Sequence, residues 1–354
     1  MTMINSSIYS SISDIITLSI RHNCICNSYK NLSREDWLKL QGVFFQQGLG
    51  SLFFSALENS DIRLPRDILM HCIGSIEHIN KEQYYKKKYA VSLINKLEAS
   101  NISTLILKGF SLSYLYPNNS IREFGDLDIY VFDKHRDTVS LIQQQGIIIE
   151  KENKHDVFNY HGLHVELHKH FLNPNRKCNR LLNQYLLEEA NKSRKSKYGW
   201  YEPSPNFNAV FLLRHMISHL ASGCISLRHI LDYGLLLLKE SENIEWEKVY
   251  DILEKTGLVY AFNTTVYLCG KILDTDFTQY QHGNTDLRMV EKIYYEIIKP
   301  PQKISNNIFA RIIYKTKRLY TKKWVYDSNL LPDKFWQEVV FGSIIEHLRM
   351  PNHI

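Results

Sequence analysis

The segment FGDLDIYVF at residues 124–132 places two acidic residues inside a run of strand-forming residues. Aspartate is depleted in strands because its short carboxylate competes for the backbone and packs poorly. Strand side chains alternate between two faces, so Asp126 and Asp128 point to the same side, about 7 Å apart at Cα. The intervening apolar residues point to the other side, into a core. Two anions on one face repel each other unless a cation lies between them. The segment therefore predicts a strand with one apolar face and one face suited to a divalent cation.

The segment GLHVELHKH at residues 162–170 has the same two-faced pattern. Alternation places Glu166 and His168 on one face, together with two further histidines, and apolar residues on the other. If this strand lies beside the first, its glutamate converges with the two aspartates. Each pair of carboxylates at 5 Å would repel by about 3 kcal/mol at an effective dielectric constant of 20. A pair of Mg²⁺ or Mn²⁺ ions would convert that repulsion into a binding site. The alternative is that the acids lie on a solvent-facing side of the sheet and have no function.

Residue periodicity divides the chain into three regions. Residues 1–84 predict helices, and Ser33 followed by Asp36 is typical of a helix N-terminus. Residues 85–172 alternate short strands and short helices, which predicts a compact sheet-containing unit. Residues 173–354 predict helices again, essentially throughout. The predicted fold class is α+β, with a small mixed sheet between N-terminal and C-terminal helical regions that form the walls of a cleft.

Residues suited to phosphate binding lie upstream of the first acidic strand. Lys108 and Gly109 stand where a predicted strand at 103–107 leads into a short helix, a place where backbone amides can meet a phosphate. Ser111 adds a hydroxyl, and Arg122 lies four residues before the first aspartate. A glycine, a hydroxyl, a base and paired acids are the parts needed for metal-assisted phosphoryl transfer.

The stretch LILKGFSLSYLYPNNSIREFGDLDIYVF at residues 105–132 resembles the signature of the DNA polymerase beta-type nucleotidyltransferase superfamily. More closely, it resembles a bacterial family of uncharacterised nucleotidyltransferases. That family has a lysine and glycine, a Tyr-Pro turn, an arginine, an Asp-Leu-Asp strand and an acid followed by Leu-His. The matching residues are Lys108-Gly109, Tyr116-Pro117, Arg122, Asp126-Leu127-Asp128 and Glu166-Leu167-His168. The segments at 36–57 and 347–351 extend the resemblance over most of the chain.

The resemblance implies a nucleotidyltransferase-type sheet core and a specific reaction. A nucleoside monophosphate would pass from an NTP to a hydroxyl of a small-molecule, saccharide or peptide acceptor, and pyrophosphate would leave. The resemblance implies three catalytic acids that hold two Mg²⁺ or Mn²⁺ ions: Asp126, Asp128 and Glu166. It also implies four residues that bind the nucleotide phosphates: Lys108, Gly109, Ser111 and Arg122. Two features depart from the superfamily pattern: Phe110 separates the glycine from the serine, and the interval from that glycine to the first aspartate is longer than usual.

Histidines and an arginine in the C-terminal half are further candidates. His215 and His219 have the i, i+4 spacing of a zinc pair on a helix, but the glutamate of a His-Glu-x-x-His protease motif is absent. We interpret them either as structural residues or as lining of the substrate cleft. His219, His168 and Arg228 are candidates for residues that contact and orient the metal ligands. Arg228 and Asp232 are also four residues apart, which is typical of an exposed helix pair.

Composition limits the partners of the protein. A net charge of +6 over 354 residues suits an anionic substrate but is weak for a nucleic-acid-binding protein. The basic segment 311–323 carries interleaved tyrosines and can follow a phosphate backbone, although we favour the solvated face of an amphipathic helix.

The chain has no apolar run long enough for a membrane span and no signal-peptide pattern. Its six cysteines form no Cys-x-x-Cys motif. We therefore expect a cytoplasmic protein without a membrane partner.

Two other functional hypotheses use the same residues. A metallohydrolase, or another group transferase, would use the acidic and histidine-rich face of the sheet for different chemistry. A catalytically silent binding module would need no bound metal. Only nucleotidyl transfer releases pyrophosphate, so analysis of the products separates these hypotheses.

Overall fold

The structure, a computed structural model, describes residues 6–21, 28–118, 122–299 and 308–340. The segment 347–351, part of the family resemblance, lies outside the described residues. Seven short strands are present in the described part: β1 Leu105–Ile106, β2 Asp126–Tyr130, β3 Ile149–Lys151, β4 His155–Tyr160, β5 Leu163–His168, β6 Arg194–Lys195 and β7 Tyr201–Glu202. They form one mixed sheet in the order β3-β4-β5-β2-β1-β7-β6.

Helices account for most of the remaining described chain. The α-helices are α1 Ser6–Arg21, α2 Arg34–Gln46, α3 Gly50–Glu58, α4 Arg66–Ala99, α5 His135–Gln143, α6 Lys177–Ala190, α7 Pro205–Ser222, α8 Leu227–Glu240, α9 Trp246–Lys255, α10 Val259–Leu273, α11 Leu287–Ile298, α12 Ile308–Thr321 and α13 Trp324–Asp327. Short 3₁₀ helices span Ser28–Asn31, Gly109–Leu115, Phe132–Lys134, Ser241–Asn243 and Thr278–Tyr280, and a π-helical turn spans Phe335–Val340. None of the described helices combines the length and the apolar character that crossing a membrane requires. The mixed sheet and many helices agree with the predicted α+β class.

The two acidic strands are neighbours, as the sequence predicted. Strands β2 and β5 pair in parallel, with Asp126 beside His164 and Asp128 beside Glu166. Strand β1 flanks this pair antiparallel to β2, and β4 flanks it antiparallel to β5. Strand β2 is shorter than predicted because Phe132 adopts a left-handed conformation with φ of 50° and leads the chain into α5.

One face of the sheet packs against the long helix α4. Leu127 of β2 and Val165 of β5 are completely buried, and they share a core with Leu93 and Leu97 of the helix. Burying an apolar side chain of this size stabilises the fold by about 1.5–3 kcal/mol. Because strand side chains alternate, this packing directs the acidic residues of β2 and β5 to the opposite face.

Helices α7 and α8 form a second, larger core with α1, α3 and α10. Ser204 caps α7 through its hydroxyl, which accepts the N–H of Phe207, and Gly223 ends the helix in a left-handed conformation with φ of 71°. Most of α7 is buried and apolar, but His215 and His219 are only half-buried. These two positions therefore face an internal space. The predicted N-cap of α2 is confirmed, since Ser33 forms a reciprocal capping box with the third residue of the helix.

The structure differs from the predicted organisation in two places. Helix α4 runs continuously across the predicted boundary between residues 84 and 85. A hairpin of β6 and β7 extends the sheet beyond residue 172, with β7 parallel to β1. The expectation that residues 173–354 are essentially helical missed this hairpin, because each of its strands has only two residues and shows no periodicity. Gly199, with φ of 102°, makes the turn possible.

Replacement of Leu93 by alanine should destabilise the protein. The side chain is completely buried between α4 and the sheet, and a cavity of this kind costs about 2–5 kcal/mol. The matched control is Leu38→Ala, because Leu38 lies in a helix but is 40% exposed; its free energy of unfolding should change by less than about 0.5 kcal/mol. Denaturant unfolding measures both. Equal losses in the two variants would contradict the proposed core.

Candidate active site

Three carboxylates meet on the face of the sheet opposite α4. Because Asp128 lies in register with Glu166 on the neighbouring parallel strand, the two side chains leave the sheet on the same side. Asp126, two residues earlier, joins them, and one carboxylate oxygen of each residue lies within 4.8 Å of the other two. The structure thus brings together the three acids that the sequence analysis named as catalytic.

These acids differ in exposure, and the pKa values of Asp128 and Glu166 are lowered. The side chain of Asp128 is completely buried, whereas those of Glu166 and Asp126 are 19% and 39% exposed. Burial opposes ionisation of Asp128, but the Lys108 ammonium and the hydrogen bond with His168 outweigh it and lower the pKa. Burial also opposes ionisation of Glu166, and there the hydrogen bond with His168 and the attraction of Lys108 hold the pKa well below its usual range. Both groups are therefore anions at neutral pH.

Lys108 supplies positive charge at the centre of the cluster. Its Nζ lies 2.6 Å from Oδ2 of Asp128 and 3.3 Å from Oδ2 of Asp126. Burial lowers the pKa of Lys108, but attraction by Asp128, Asp126 and then Glu166 raises it by more, so the net shift is upward. The resemblance implied a phosphate contact for this residue. The structure instead places the ammonium group against the acids.

The three acids fit a divalent cation. Oδ2 of Asp128 has the Lys108 ammonium as an ion-pair partner, but no donor in hydrogen-bonding geometry reaches this buried oxygen from the described residues. Three carboxylates outnumber the two ammonium groups that attract them, Lys108 and Lys154, and leave an excess of negative charge. Hard divalent cations prefer such clustered carboxylate oxygens. The residues that would hold Mg²⁺ or Mn²⁺ are therefore Asp126, Asp128 and Glu166.

His168 links two of the acids. Its Nδ1 lies 3.2 Å from the carbonyl oxygen of His170, and this contact leaves Nε2 facing the carboxylates. Nε2 lies 3.1 Å from Oδ1 of Asp128 and 3.4 Å from Oε2 of Glu166. The ring of His155 packs beside it at a centroid distance of 5.3 Å, and burial lowers the pKa of His155 to about 4. His168 therefore orients the carboxylates from one side.

Lys108 and Gly109 turn the chain from β1 into the 3₁₀ helix Gly109–Leu115. Gly109 has φ of 62°, a left-handed conformation that glycine adopts at low cost. Its backbone lines a cavity together with Asp126. Ser111, in contrast, is buried, its hydroxyl has no hydrogen-bond partner among the described residues, and it lies outside the cavity lining. The structure presents the glycine to a ligand but not the serine.

Arg122 is held by a buried ion pair rather than facing a ligand freely. Its Nε and Nη2 each lie 2.7 Å from a carboxylate oxygen of Asp232 on α8, and Nη1 donates to the carbonyl oxygen of Glu123. The hydroxyl of Tyr116 donates to the same aspartate at 2.7 Å. Burial lowers the pKa of Arg122, and attraction by Asp232 raises it by more. The pair fixes the chain before β2 against α8, so the phosphate contact implied by the resemblance would require this pair to open.

Arg228 lines the same cavity as Gly109 and Asp126 and has no carboxylate partner in the described part of the chain. The interpretation of Arg228 and Asp232 as an exposed helix pair was wrong, because Asp232 is buried and pairs with Arg122. Nη1 of Arg228 lies 3.3 Å from the carbonyl oxygen of Glu123, and no carboxylate of the described residues is in ion-pair range. Burial, followed by repulsion from Arg122, lowers the pKa of Arg228. Gly48 leaves room for the guanidinium, since a Cβ there would lie 2.5 Å from Nη1.

Three histidines line the cavity opposite the acids. His215 and His219 approach each other with an Nε2–Nε2 distance of 2.9 Å, and His229 of α8 completes the group. Burial lowers the pKa of His219 to about 4 and those of the other two well below 6.5, so all three are neutral at pH 7. The backbone N–H of Ser226 donates to Nδ1 of His229, which places the ring proton on Nε2 and leaves no free lone pair for a metal. The trio therefore offers neutral hydrogen-bonding groups to a ligand rather than a complete zinc site.

These groups surround a space of about 460 Å³, here called the central cavity. Its walls are the Lys108-Gly109 turn, Asp126, residues 45–48 at the end of α2, and the facing sides of α7 and α8. A cavity of this size with a few convergent polar groups is typical of a small-molecule site.

Clustered carboxylates beside a cation-lined cavity are typical of enzymes that act on phosphate groups. The sequence matches a family described as "Uncharacterised nucleotidyltransferase" over residues 33–274, a range that includes all seven strands. The chain therefore belongs to this nucleotidyltransferase family. No curated protein matches it, and no solved structure matches it either.

The sequence analysis missed two histidines of the site. His155 begins β4 and pairs in register with His168, so the antiparallel neighbour of an acidic strand was the signal that could have identified it. His229 lies three residues after Ser226 in a capping arrangement, which gives no sign of a cavity position. Both depend on contacts that only the folded chain defines.

We expect His219 to lower the free energy of unfolding as the pH falls from 6.5 to 4. Its pKa is about 4 in the folded protein and about 6.5 when unfolded, so the unfolded chain binds the proton first as the pH falls. The His219→Gln variant should therefore lose less stability than the wild type between pH 6.5 and 4, by up to about 1.4 kcal/mol per pH unit. Denaturant unfolding across this range measures the slopes. Parallel slopes in the two proteins would contradict a neutral, buried His219.

Proposed function

We propose that this protein is a metal-dependent nucleotidyltransferase of the DNA polymerase beta type. It transfers a nucleoside monophosphate from an NTP to a hydroxyl of a small-molecule, saccharide or peptide acceptor and releases pyrophosphate. The observation that carries the proposal is the convergence of Asp126, Asp128 and Glu166 on one side of two parallel strands. Membership of a nucleotidyltransferase family supports the type of reaction.

The acids would hold Mg²⁺ or Mn²⁺, which supplies the positive charge that stabilises the triphosphate and the leaving pyrophosphate. The protein keeps these acids ready for the ion. Asp128 is ionised and fixed by Lys108 and His168. A divalent ion at these carboxylates would weaken their attraction for the Lys108 ammonium, which would then be available to a phosphate oxygen.

The central cavity supports binding of the nucleotide. Arg228 is a half-buried cation with no carboxylate partner among the residues that the structure describes, and a phosphate would relieve the free-energy cost of its burial. The backbone at Gly109 borders the same space beside Asp126, where a phosphate can approach closely. The neutral histidines on the opposite wall present hydrogen-bonding groups to the rest of the nucleotide.

A metallohydrolase is the second candidate. His155, Glu166 and His168 also offer three ligand atoms within 4.8 Å of one another, and a mixed histidine and carboxylate set suits a metal that activates water. Incubation with labelled NTP, Mg²⁺ and a lysate from the source organism separates the two activities. With the label on the α-phosphate, pyrophosphate together with a labelled nucleotide adduct supports transfer, whereas labelled NMP or NDP without an adduct supports hydrolysis.

Asp128→Asn should remove metal-dependent nucleotide binding. The amide has almost the same size as the carboxylate but no charge, so the site would bind Mg²⁺ more weakly. Wild-type protein should melt at a higher temperature with Mg²⁺ and NTP present, and Asp128→Asn should gain little. Release of pyrophosphate should fall at least about 100-fold, the effect of losing one group that stabilises transition-state charge.

The matched control is Asp137→Asn. Asp137 is an exposed aspartate of α5 that pairs with Lys134 on the surface. This variant should keep the full gain in melting temperature. Equal gains in wild type and Asp128→Asn would show that Asp128 is not a metal ligand, and the proposed function would lose its main support.

A further inference from the structure

A second cavity, of about 330 Å³, lies on the other side of the acid cluster and is here called the basic cavity. Its lining contains four cationic side chains and one carboxylate, which give a formal charge of +3. These residues are Lys154, Arg176, Arg214, Arg318 and Asp333. Such a charge, enclosed in a concave space, favours an anionic ligand.

Arg214 is the one cation of this group that is neutralised within the described residues. Its Nη2 lies 2.9 Å from Oδ2 of Asp333, Nε donates to Asn179 at 2.9 Å, and Nη1 donates to Ser218 at 2.6 Å. Nε thus joins α7 to α6, Nη2 joins α7 to the segment after α13, and Nη1 is engaged within α7. Arg214 shapes the cavity wall, and the excess positive charge resides on the other three cations.

Those three cations have no carboxylate in ion-pair range among the described residues. Nη1 of Arg176 is buried and has no hydrogen-bond partner in the same part of the chain. The guanidinium of Arg318 lies 5.8 Å from the centre of the Tyr314 ring, a contact that leaves its N–H groups free to reach a ligand. A buried cationic group without a partner is unfavourable unless a ligand supplies one.

The order of strands places the two cavities on opposite sides of the acids. The Lys108-Gly109 turn of the central cavity follows β1, whereas Lys154 of the basic cavity immediately precedes β4. The acidic strands β2 and β5 lie between β1 and β4 in the sheet. His215 lines both cavities. A ligand in the basic cavity therefore approaches the acids from the side of Glu166.

We propose that the basic cavity binds the acceptor, and that the acceptor is a hydroxyl-bearing molecule that also carries a phosphate monoester. This inference rests on the proposed nucleotidyltransferase function. Arginine forks and a lysine ammonium are the side chains that proteins use to hold phosphate oxygens. A phosphate dianion balances more of the +3 charge than a single carboxylate does. Anchored by its phosphate, the acceptor can direct its hydroxyl towards the acids.

The reaction leaves the anchoring phosphate unchanged. The acceptor hydroxyl oxygen forms a bond to the α-phosphorus of the NTP, and the bond from that phosphorus to the oxygen bridging to the β-phosphate breaks. Pyrophosphate leaves with the bonding electrons, and the hydroxyl proton passes to solvent. The product is a phosphodiester that still carries the original phosphate monoester.

Titration calorimetry with the metal-free protein tests this inference. The probes are sn-glycerol 3-phosphate, glycerate and glycerol, which share a small hydroxylated skeleton but differ in the anionic group. The variants are Lys154→Gln and Arg176→Gln, with Arg228→Gln in the central cavity as a control of equal charge change. We expect sn-glycerol 3-phosphate to bind the wild type, and each basic-cavity variant to bind it about tenfold more weakly. Arg228→Gln should change this affinity less than about twofold.

Each of the following outcomes would contradict one part of the inference. If sn-glycerol 3-phosphate does not bind, or if Arg228→Gln weakens it as much as Arg176→Gln does, the basic cavity is not a phosphate site. Equal binding of glycerate refutes the assignment to a phosphate. The gain in melting temperature with Mg²⁺ and NTP is measured on the same samples. If the wild type binds sn-glycerol 3-phosphate in the basic cavity but shows no such gain, the nucleotidyltransferase function fails while the anion site stands.

Discussion

The functional part of this molecule depends on the charge balance where β1, β2 and β5 meet. Three carboxylates converge there, and one of them, Asp128, is completely buried. Such a group is unfavourable in a protein interior unless it has partners. Lys108 and His168 are those partners, and their contacts hold the pKa of Asp128 below its usual value in spite of burial. In the proposed function, a divalent cation would take over the role of the ammonium group.

The rest of the fold places two differently charged spaces around this cluster. The apolar face of the sheet is sealed by α4, so ligands reach the acids only from the opposite face. There the central cavity offers Arg228, Gly109 and neutral histidines, and the basic cavity offers Lys154 and Arg176. A transferase needs two substrates to meet at one metal site. The proposed sites for these two substrates are the central cavity, on the β1 side of the acids, and the basic cavity, on the β4 side.

Local sequence patterns predicted the acidic strands and their faces, but not the partners of the cations. The alternation of side chains along a strand is a local property, and the apolar face of a strand must pack against a core. The sequence therefore predicted which face of the sheet carries Asp128 and Glu166. Arg122 was expected at a phosphate, whereas its partner Asp232 lies 110 residues away, a distance that no local pattern spans. For the same reason, the local pattern predicted only repulsion between the two aspartates. It did not reveal that the Lys108 ammonium lies against them. The strands of the β6–β7 hairpin are too short to show any periodicity. A single lysine in a turn, such as Lys154, has no sequence pattern that would identify it as a cavity residue.

The central claim is that Asp126, Asp128 and Glu166 form a divalent-metal site that acts with a bound nucleotide. A crystal structure with Mn²⁺ and a non-hydrolysable NTP analogue tests it most directly, because the anomalous signal of Mn²⁺ locates the ion independently of the surrounding density. We expect Mn²⁺ bound between the three carboxylates, the triphosphate in the central cavity, and Nζ of Lys108 moved from Asp128 to a phosphate oxygen. Nucleotide bound elsewhere, or no Mn²⁺ at the acids with the Lys108–Asp128 ion pair intact, would contradict the claim.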